Sequence, residues 1–368
     1  MNKILFTANC DSHILLFHLP YLKWFKDNGY EVHVATNTDD YIPFTDVKHK
    51  ISFKRNPLSI RNFKAILELI KVLKDNNFKI IHTHTPVASV VTRVAHFILK
   101  NKSKLIYTCH GFHFYKGAPF YFWLLFCSIE KILMNVVDVL FVMNKEDYEF
   151  SKKHFKNVEV RYINGIGFNK ARLDKRSSLS RKKEIFNNLN LSQNDFIVSY
   201  VAEYSKRKRQ GDLLKHLAKT NIKDTNIKVL FIGKDSLNGK LNKLVKKYKL
   251  DNVIKFVDFV DDIAIYYRIS DLIISCSRQE GLPLNVIESI YMKKIVLATN
   301  CRGNSDLVIN GTNGFIVNKI DKFYSMICYI KDNYNYLYKN YDRGLNILEY
   351  SSDTILNEVS KVYKRLLK

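Results

Sequence analysis

The sequence predicts an α/β protein made of two similar halves, each with a parallel sheet covered by helices on both faces. Short apolar runs alternate with amphipathic helical stretches from the first residues onward. This alternation is typical of strand–helix–strand units, whose parallel strands are buried on both sides. It stops near Tyr162 and restarts at Asp195, with a polar, basic stretch between. Two domains are therefore expected, in agreement with 368 residues at roughly 150 residues per domain.

Strand candidates in the first half are short and apolar. They are Lys3–Ala8, Glu31–Thr36, Lys79–Thr83, Lys104–Cys109 and Val137–Asn144. A helix that begins at Ser12 and ends near Asn28 is expected after the first strand, and helical periodicity covers Ile60–Lys74. Open parallel sheets bind ligands beyond the carboxyl ends of their strands, so residues that follow a strand are the first candidates for chemistry.

The second half repeats the pattern. Its strand candidates are Asp195–Val201, Lys228–Ile232, Val253–Val257, Leu272–Cys276 and Ile295–Thr299. Helices are expected from about Lys208, over Leu241–Tyr248 and after Pro283, and the amphipathic segment Thr354–Leu367 is expected to dock as a terminal helix. We therefore predict a first domain over 1–168 joined by the helix 352–368, a basic linker over 169–190, and a second domain over 191–351.

The strongest compositional feature is charge: 59 Lys and Arg stand against 35 Asp and Glu, a net charge of +24. Such a surplus indicates an anionic partner, and composition leaves open nucleic acid, a phosphorylated ligand and an acidic membrane surface. The six cysteines are scattered without a C-x-x-C pair, which disfavours a zinc site or a disulfide framework. No signal peptide and no apolar run of ~18 residues is evident, so a reduced, cytoplasmic location is expected.

The loop and helix start around Pro283 carry the densest chemical signal, because this segment follows an apolar strand. Free amides at the helix start, such as those of Leu282 and Leu284, would form an anion site suited to a diphosphate. Glu280 in the loop and Glu288 in the helix can flank one ligand, and a carboxylate can accept hydrogen bonds from both hydroxyls of a ribose. For such a pair taken alone, ordinary solvated glutamates are the alternative.

These residues resemble a known family. Glu280 and Glu288, with Gly281-Leu282-Pro283 between them, are similar to the paired-glutamate motif of the retaining glycosyltransferases of family 4. Further similar segments, in the family's order, are Cys109–Gly117, Lys294–Asn304 and Asn310–Phe315. The bacterial members that build capsular or extracellular polysaccharide are the most similar. The resemblance implies a GT-B fold: two facing Rossmann-like domains with a cleft between them, the first for the acceptor and the second for the nucleotide-sugar.

The resemblance also implies roles for residues in the second half. Glu288 would bind the ribose hydroxyls of the nucleotide, and Glu280 would bind hydroxyls of the donor sugar beside the backbone of Gly281 and Leu282. Lys208 would hold the diphosphate and stabilise the charge that develops on it as the glycosidic bond breaks.

One departure from the family leaves a question open. The family often has Arg where Glu203 stands, so further positive charge has to come from Lys206, Arg207 or Arg209. The sequence does not decide which of these basic side chains supports Lys208.

Histidines are the candidates in the first half. His110 follows a strand and precedes a glycine, and the resemblance implies that it contacts the donor sugar or the incoming acceptor. His113 is a weaker candidate, and His13 lies in a glycine-free loop where side chains are expected to replace backbone contacts. His82 and His84 share one strand face, but the sequence offers no third ligand nearby, so packing is preferred and no metal site is predicted.

The resemblance implies a front-face substitution in which the leaving diphosphate helps to deprotonate the acceptor hydroxyl. No nucleophile is assigned, although retention in general also arises from double displacement through a carboxylate. No Asp-x-Asp occurs in the sequence, which disfavours the metal-dependent transferases that carry this motif. A metal-independent reaction without cofactor is expected, with the nucleotide-sugar as a substrate.

Part of the charge is expected to face a membrane. In Ile60–Lys74, Lys64, Lys71 and Lys74 alternate with apolar residues, and a dense aromatic cluster covers Phe112–Trp123. Basic side chains with aromatic anchors suit an anionic membrane surface, where a lipid-diphosphate-linked acceptor, as the resemblance implies, would be found. A plain amphipathic core helix with solvated lysines is the alternative.

The predicted function is a cytoplasmic, peripheral-membrane, retaining glycosyltransferase that uses a UDP-linked sugar to extend a lipid-linked saccharide. A nucleotide-sugar epimerase of similar two-domain architecture is the closest enzyme alternative. A nucleic-acid-binding protein is the alternative from another class. It is suggested by the charge alone, and because no nucleic-acid-binding motif is present, no nucleic-acid partner is expected.

Overall fold

The computed structural model describes residues 2–57, 59–175 and 178–368. The chain forms two compact units. Unit 1 runs to Gly167 and also includes Ser352–Lys368, whereas unit 2 is Phe168–Ser351. Each unit is an open parallel sheet whose strands are connected largely by helices.

Unit 1 is built on a seven-stranded sheet in which all neighbouring strands are parallel. Its strands are β1 (Lys3–Thr7), β2 (Glu31–Thr36), β3 (Val47–Lys50), β4 (Phe78–His84), β5 (Lys104–Cys109), β6 (Val139–Val142) and β7 (Glu159–Tyr162). Their order is β3-β2-β1-β4-β5-β6-β7. Leu5, Ile81 and Leu105 on the central strands are fully buried in the core, as expected for a sheet that is covered on both faces.

The helices of unit 1 before the crossover to unit 2 are α1 (Asp11–Phe17), α2 (Leu19–Asp27), α3 (Arg61–Asp75), α4 (Pro86–Leu99), α5 (Phe120–Phe122), α6 (Ser128–Leu133) and α7 (Lys145–His154). A π-helical turn, Trp123–Cys127, joins α5 to α6, and a 3₁₀ turn, Met134–Val136, follows. The single helix predicted after β1 is two helices that meet at His18. Pro20 lies in the first turn of α2, a position where proline begins a helix rather than continuing one.

Unit 2 is built on a six-stranded parallel sheet in the order β10-β9-β8-β11-β12-β13. Its strands are β8 (Phe196–Val201), β9 (Ile227–Ile232), β10 (Ile254–Val257), β11 (Leu272–Ser275), β12 (Ile295–Thr299) and β13 (Gly314–Val317). Val198, Val229 and Leu297 are fully buried in its core.

The helices of unit 2 are α8 (Lys170–Asp174), α9 (Leu179–Asn188), α10 (Gln210–Leu217), α11 (Lys240–Tyr248), α12 (Ile263–Ile269), α13 (Leu284–Tyr291), α14 (Asn304–Leu307), α15 (Phe323–Asp332) and α16 (Tyr334–Lys339). Short 3₁₀ turns occupy Ile222–Asp224, Ile320–Lys322 and Ile347–Tyr350. The last helix, α17 (Ser352–Leu366), belongs to unit 1, where the ring of Tyr363 packs 4.7 Å from that of Phe25.

Three strands were not predicted from the sequence: β3, β7 and β13. All three are edge strands, since each has a single neighbour in its sheet. An edge strand is partly exposed and accepts polar residues, as the sequence Val47-Lys48-His49-Lys50 of β3 illustrates. The apolar pattern used to find strands is therefore weakest at these positions.

The prediction of a linker over 169–190 was wrong. The described part of this segment contains α8 and α9 within unit 2, while Arg176 and Ser177 lie outside the described residues. Leu173, Ile185 and Phe186 are buried, so a few apolar side chains dock an otherwise basic segment. Because only a few apolar residues dock this segment, its overall composition remains polar and resembles that of a loop.

Both sheets have a topological switch point, where the chain reverses the direction in which it adds strands. In unit 1 the switch point lies between β1 and β4, and in unit 2 it lies between β8 and β11. The loops that leave the carboxyl ends of these strands diverge and create a crevice, which is where open α/β sheets bind ligands. The candidate residues Lys208 and Glu280 lie in the loops after β8 and β11.

Candidate active site

The loops at the switch point of unit 2 are joined by an ion pair. Lys208 lies between β8 and α10, and Glu280 lies between β11 and α13. The ammonium of Lys208 donates to Oε1 of Glu280 at 2.6 Å, and the guanidinium of Arg207 donates to Oε2 at 2.8 Å. Lys208 and Glu280 are buried, whereas Arg207 is about half exposed. Two cations thus converge on one buried carboxylate.

These cations decide the protonation of Glu280. Burial by itself raises the pKa of a carboxyl, but the charges of Lys208 and Arg207, together with hydrogen bonds, lower the pKa of Glu280 to about 2. Glu280 is therefore ionised at neutral pH. An ionised carboxylate accepts hydrogen bonds, which suits contact with sugar hydroxyls.

The second glutamate of the predicted motif is in the opposite situation. Glu288 is buried on α13 and accepts a hydrogen bond from the Tyr267 hydroxyl at 2.8 Å. Burial raises its pKa to about 7, although the hydrogen bond from Tyr267 and the charge of Arg172 act in the other direction. Two carboxyl groups of one motif therefore differ in protonation because only one of them has an ammonium in contact.

The start of α13 offers further donors. The helix begins at Leu284, and its first amides have no preceding turn to bond. The side-chain Nδ2 of Asn285 is buried and has no hydrogen-bond partner among the described residues. Asn285 was not selected from the sequence, and its place in the first helical turn is the signal that would have found it. Leu282, in the preceding loop, is buried.

The backbone around Glu280 is fixed by a neighbouring loop. The Arg302 guanidinium donates to the carbonyl oxygen of Glu280 at 3.1 Å. A Cβ on Gly303 would lie 2.7 Å from the carbonyl oxygen of Gly281, and its φ of +82° also favours glycine. Neither residue was assigned a role from the sequence, although both lie in a segment that carries the family resemblance.

The structure answers which basic residue accompanies Lys208. Arg207 shares Glu280 with it, whereas Arg209 is paired with Asp212 at 3.0 Å. Lys206 is exposed and has no ion pair among the described residues. Arg207 and Arg209 contact different carboxylates and Lys206 is exposed, because these residues lie in a turn, where adjacency in sequence does not determine the direction of a side chain.

In unit 1, four histidines gather at the switch point. His110 follows β5 and lies close to His13, His18 and His84, with the ligand nitrogens of all four within 4.8 Å of one another. Burial lowers the pKa of His110 to about 4, so its ring is neutral at pH 7. The expectation that His84 has no further ligands nearby was wrong, because the others come from separate segments. His82 is instead bonded to Tyr363 and Thr108.

A cavity of about 760 Å³ opens beside these histidines and is mostly apolar. His13 and His113, both predicted on the acceptor side, line it. The ring of His113 packs 5.0 Å from that of Phe126, which also lines the cavity. Phe63 of α3 lies at its wall. A cavity of this character suits an amphipathic or lipid-attached ligand.

A buried ion pair borders the same cavity and was missed by the sequence analysis. The guanidinium of Arg93 on α4 donates to both carboxylate oxygens of Glu130 on α6, at 2.6 and 3.1 Å. It also lies 4.6 Å from the ring of Tyr107. Nothing in the spacing of Arg93 and Glu130 along the chain identifies them as partners.

The predicted membrane-facing lysines are exposed along α3. Lys64, Lys71 and Lys74 share the exposed side with Phe63 and Leu67, whose exposed fractions are 71% and 68%. The opposite side of the helix, including Leu69 and Leu73, is buried in the core. Within the described ranges, no helix is long and apolar enough to cross a membrane.

Two family models match the chain, one for most of each unit. Residues 3–144 match the glycosyl transferase 4-like model, and residues 181–323 match the model of glycosyl transferases group 1. EpsD of Bacillus subtilis, a glycosyltransferase by name, is 34% identical over 317 residues, which cover 86% of this chain and 83% of EpsD. The chain belongs to the group 1 glycosyltransferases.

Other relatives of this group 1 glycosyltransferase have more specific names. CapM of Staphylococcus aureus, a capsular polysaccharide biosynthesis glycosyltransferase, is 23% identical over 309 residues, which cover 82% of this chain and 80% of CapM. An Escherichia coli UDP-Gal:alpha-D-GlcNAc-diphosphoundecaprenol alpha-1,3-galactosyltransferase is 26% identical over 307 residues, which cover 80% of this chain and 74% of that enzyme.

A solved structure shows the same fold. HepE of Anabaena, in complex with UDP-glucose, matches with a TM-score of 0.76 at 18% identity, covering 99% of this chain and 100% of HepE. The family, the GT-B fold class and the glycosyltransferase function predicted from the sequence are confirmed.

Proposed function

We propose that this glycosyltransferase transfers a sugar, with retention of configuration, from a UDP-linked donor to a lipid-diphosphate-linked saccharide in capsular or extracellular polysaccharide synthesis. Unit 2 binds the donor and unit 1 binds the acceptor, at the cytoplasmic face of the membrane. The observation that carries the proposal is the buried pairing of Glu280 with Lys208 beside the start of α13. The pair supplies a cation, Lys208, that can bind a diphosphate, and an ionised carboxylate, Glu280, that can accept hydrogen bonds from sugar hydroxyls.

The donor roles follow from this arrangement. Lys208 and the first amides of α13, such as that of Leu284, supply positive charge for the diphosphate. Glu280 binds hydroxyls of the sugar, and Glu288 binds the ribose. Arg207 keeps Glu280 ionised when Lys208 turns toward the diphosphate, since it contacts the other carboxylate oxygen.

The same electrostatics favour a reaction without an enzyme nucleophile. A carboxylate whose pKa is about 2 is a weak base, and both oxygens of Glu280 are already engaged by cations. Glu280 is therefore suited to binding rather than to attack. Lys208 and Arg207 also supply the charge that Mg²⁺ or Mn²⁺ supplies in other transferases, so we propose that transfer needs no catalytic metal.

The proposed acceptor site lies in unit 1. Its cavity is apolar, and exposed Phe63 and Leu67 lie beside lysines on α3, a combination that suits a lipid carrier at an anionic surface. The E. coli relative uses, by its name, an acceptor linked to diphosphoundecaprenol. His110, neutral and at the switch point, donates a hydrogen bond to a hydroxyl of the donor sugar or acceptor.

The test is a transfer assay with a panel of UDP-sugars, each with and without GlcNAc-diphosphoundecaprenol, in buffer without added divalent metal. Product is detected by mass spectrometry, and its anomeric configuration by NMR. We expect product in the presence of acceptor, an α-linkage from an α-linked donor, and no requirement for added Mg²⁺ or Mn²⁺. A Glu280→Gln variant purified in parallel controls for contaminating transferases.

Each part of the proposal has its own contrary outcome. Interconversion of UDP-sugars without acceptor would identify an epimerase. A β-linked product would exclude retention, and activity that depends on added Mg²⁺ or Mn²⁺ would exclude metal independence. If GlcNAc-diphosphoundecaprenol and other lipid-linked saccharides are all inactive while a water-soluble sugar is glycosylated, the lipid-linked acceptor is wrong.

A further inference from the structure

The four histidines at the switch point of unit 1 come from separate segments of the chain. His13 lies on α1, His18 at the junction of α1 and α2, His84 at the end of β4 and His110 after β5. Their ligand nitrogens lie within 4.8 Å of one another. Folding therefore brings four imidazoles to one point at the carboxyl edge of the sheet.

Six of the eight ring nitrogens in this cluster are buried without a partner among the described residues. Buried nitrogens with no hydrogen-bond partner among the described residues are His13 Nε2, both nitrogens of His18, both nitrogens of His84, and His110 Nε2. An unpaired buried polar atom destabilises the folded chain, because the hydrogen bonds that it makes to water when unfolded are not replaced. Other buried histidines of unit 1 differ: both nitrogens of His82 are bonded, and Nε2 of His96 lies 3.0 Å from the carbonyl oxygen of Ser103.

The cluster has the character of a metal site. Burial lowers the pKa of all four histidines, and the neutral imidazole that results is the form that binds metals. Among the described residues, Arg55 is the non-histidine group whose charge acts on these four histidines: it lowers the pKa of His13, and its side chain is exposed to solvent. A set of nitrogen ligands without carboxylates favours zinc-like transition metals over Mg²⁺ or Ca²⁺.

We propose that His13, His18, His84 and His110 form a binding site for one zinc-class divalent metal ion, held by three or four of their imidazoles. Two imidazoles on one tetrahedral ion, with metal–nitrogen bonds of about 2.0–2.1 Å, have ring centres about 5 Å apart. The ring centre of His13 lies 4.8 Å from that of His110 and 5.0 Å from that of His18. The remaining pairs are 5.8–6.2 Å apart, except for one.

The pair that departs from this spacing, His18 and His84, would have to change on metal binding. His18 and His84 are stacked with their ring centres 3.7 Å apart, which is too close for both to bind one tetrahedral ion in this orientation. Binding separates these rings, or leaves one of them packed against a three-histidine site. The ion would join α1, β4 and the loop after β5, and so would rigidify the switch point.

The site also bears on His110. If Nε2 of His110 binds the ion, the ring proton stays on Nδ1, which fixes the tautomer and leaves one donor for a substrate hydroxyl. This metal has no direct role in bond cleavage, so the site is compatible with transfer that needs no added Mg²⁺ or Mn²⁺. The inference does not rest on the proposed substrates, and metal content tests it without any activity assay.

The test uses the full chain without a polyhistidine tag, treated with chelator and then reconstituted. Bound metal is measured after dialysis against Zn²⁺, and Co²⁺ serves as a spectroscopic probe because a tetrahedral Co²⁺ site has intense visible bands. We expect one Zn²⁺ per chain, a Tm raised by about 5 °C with Zn²⁺ but not with Mg²⁺, and tetrahedral Co²⁺ bands.

Three variants locate the site. His84→Gln and His13→Gln should lose the bound zinc and the Co²⁺ bands, whereas His154→Gln, which changes an exposed histidine of α7, should keep both. His13 is only partly buried, so its variant remains informative if His84→Gln does not fold. Reconstituted wild type without stoichiometric zinc would overturn the proposal, and so would zinc that is retained equally in the folded His13→Gln or His84→Gln variants.

Discussion

Lys208 and Glu280 lie 72 residues apart in the chain, and their side chains meet at the switch point of unit 2 with 2.6 Å between Nζ and Oε1. The ammonium that keeps this carboxylate ionised is also the group proposed to meet the donor diphosphate. In the proposed mechanism, one cation therefore contacts both the carboxylate that binds the sugar and the leaving group.

Replacing Lys208 tests that link. Lys208→Met removes the charge that we propose acts on the leaving diphosphate, so we expect kcat to fall by about 10²–10³. Lys215→Met, which changes an exposed lysine at the end of α10, should leave kcat unchanged. Steady-state kinetics with the donor found in the panel measures both, and equal kcat values in the two variants would contradict the role of Lys208.

Glu288 predicts a pH dependence of stability. Its pKa of about 7 in the folded protein lies above the ordinary value of 4.5, so ionisation favours the unfolded chain and stability falls as the pH rises from 4.5 to 7. Tyr267 and Arg172 are the groups that oppose this shift. In Glu288→Gln the loss is absent, so the variant should gain up to about 3 kcal/mol relative to wild type over this range and no more above it.

Thermal unfolding at a series of pH values measures this difference. Glu349→Gln, at an exposed position in unit 2, is the matched control and should show no such trend. A constant difference between Glu288→Gln and wild type from pH 4.5 to 8 would mean that Glu288 is ionised in the folded state.

Glu288 and His110 should affect different kinetic constants. Glu288→Ala removes the proposed ribose contact, so we expect weaker UDP binding in calorimetry. His110→Ala removes the proposed hydrogen bond to the donor sugar or acceptor, so we expect a lower kcat with little change in UDP affinity. Wild-type UDP affinity in Glu288→Ala, or wild-type kcat in His110→Ala, would refute the corresponding assignment.

The Arg93–Glu130 pair should stabilise unit 1 only as a pair. Both side chains are at least 90% buried, so Arg93→Met leaves an unpaired buried carboxylate and should cost about 3–5 kcal/mol in urea unfolding. The double variant Arg93→Met/Glu130→Leu should recover most of this loss, because no buried charge remains. Additive losses in the double variant would show that the two residues act independently.

The exposed side of α3 should bind anionic membranes. Replacing Lys64, Lys71 and Lys74 with Glu reverses three charges beside Phe63 and Leu67, so we expect less sedimentation with phosphatidylglycerol vesicles. The matched control reverses the exposed lysines Lys243, Lys246 and Lys247 on α11 of unit 2 and should sediment like wild type. Equal losses in both variants would indicate a nonspecific effect of net charge.

Much of the fold followed from local sequence patterns. The predicted strand Ile295–Thr299 is β12, and the predicted helix Leu241–Tyr248 is α11 with one residue added. The edge strand β3 was missed because a partly exposed strand needs few apolar residues. The linker prediction failed for a related reason, since Leu173 and Ile185 are enough to dock a basic segment.

The sequence by itself determined the alternation of strands and helices, the placement of Glu280 and Glu288 around a helix start, and the glycosyltransferase family. The first two are properties of short segments, which periodicity and spacing record directly, and the family followed from the resemblance of several such segments to its motifs. Only the tertiary structure decided that Arg207 accompanies Lys208, that the two glutamates differ in protonation, and that four histidines share one point. Strand order brings distant loops together, and burial then sets the charge of the groups that meet there.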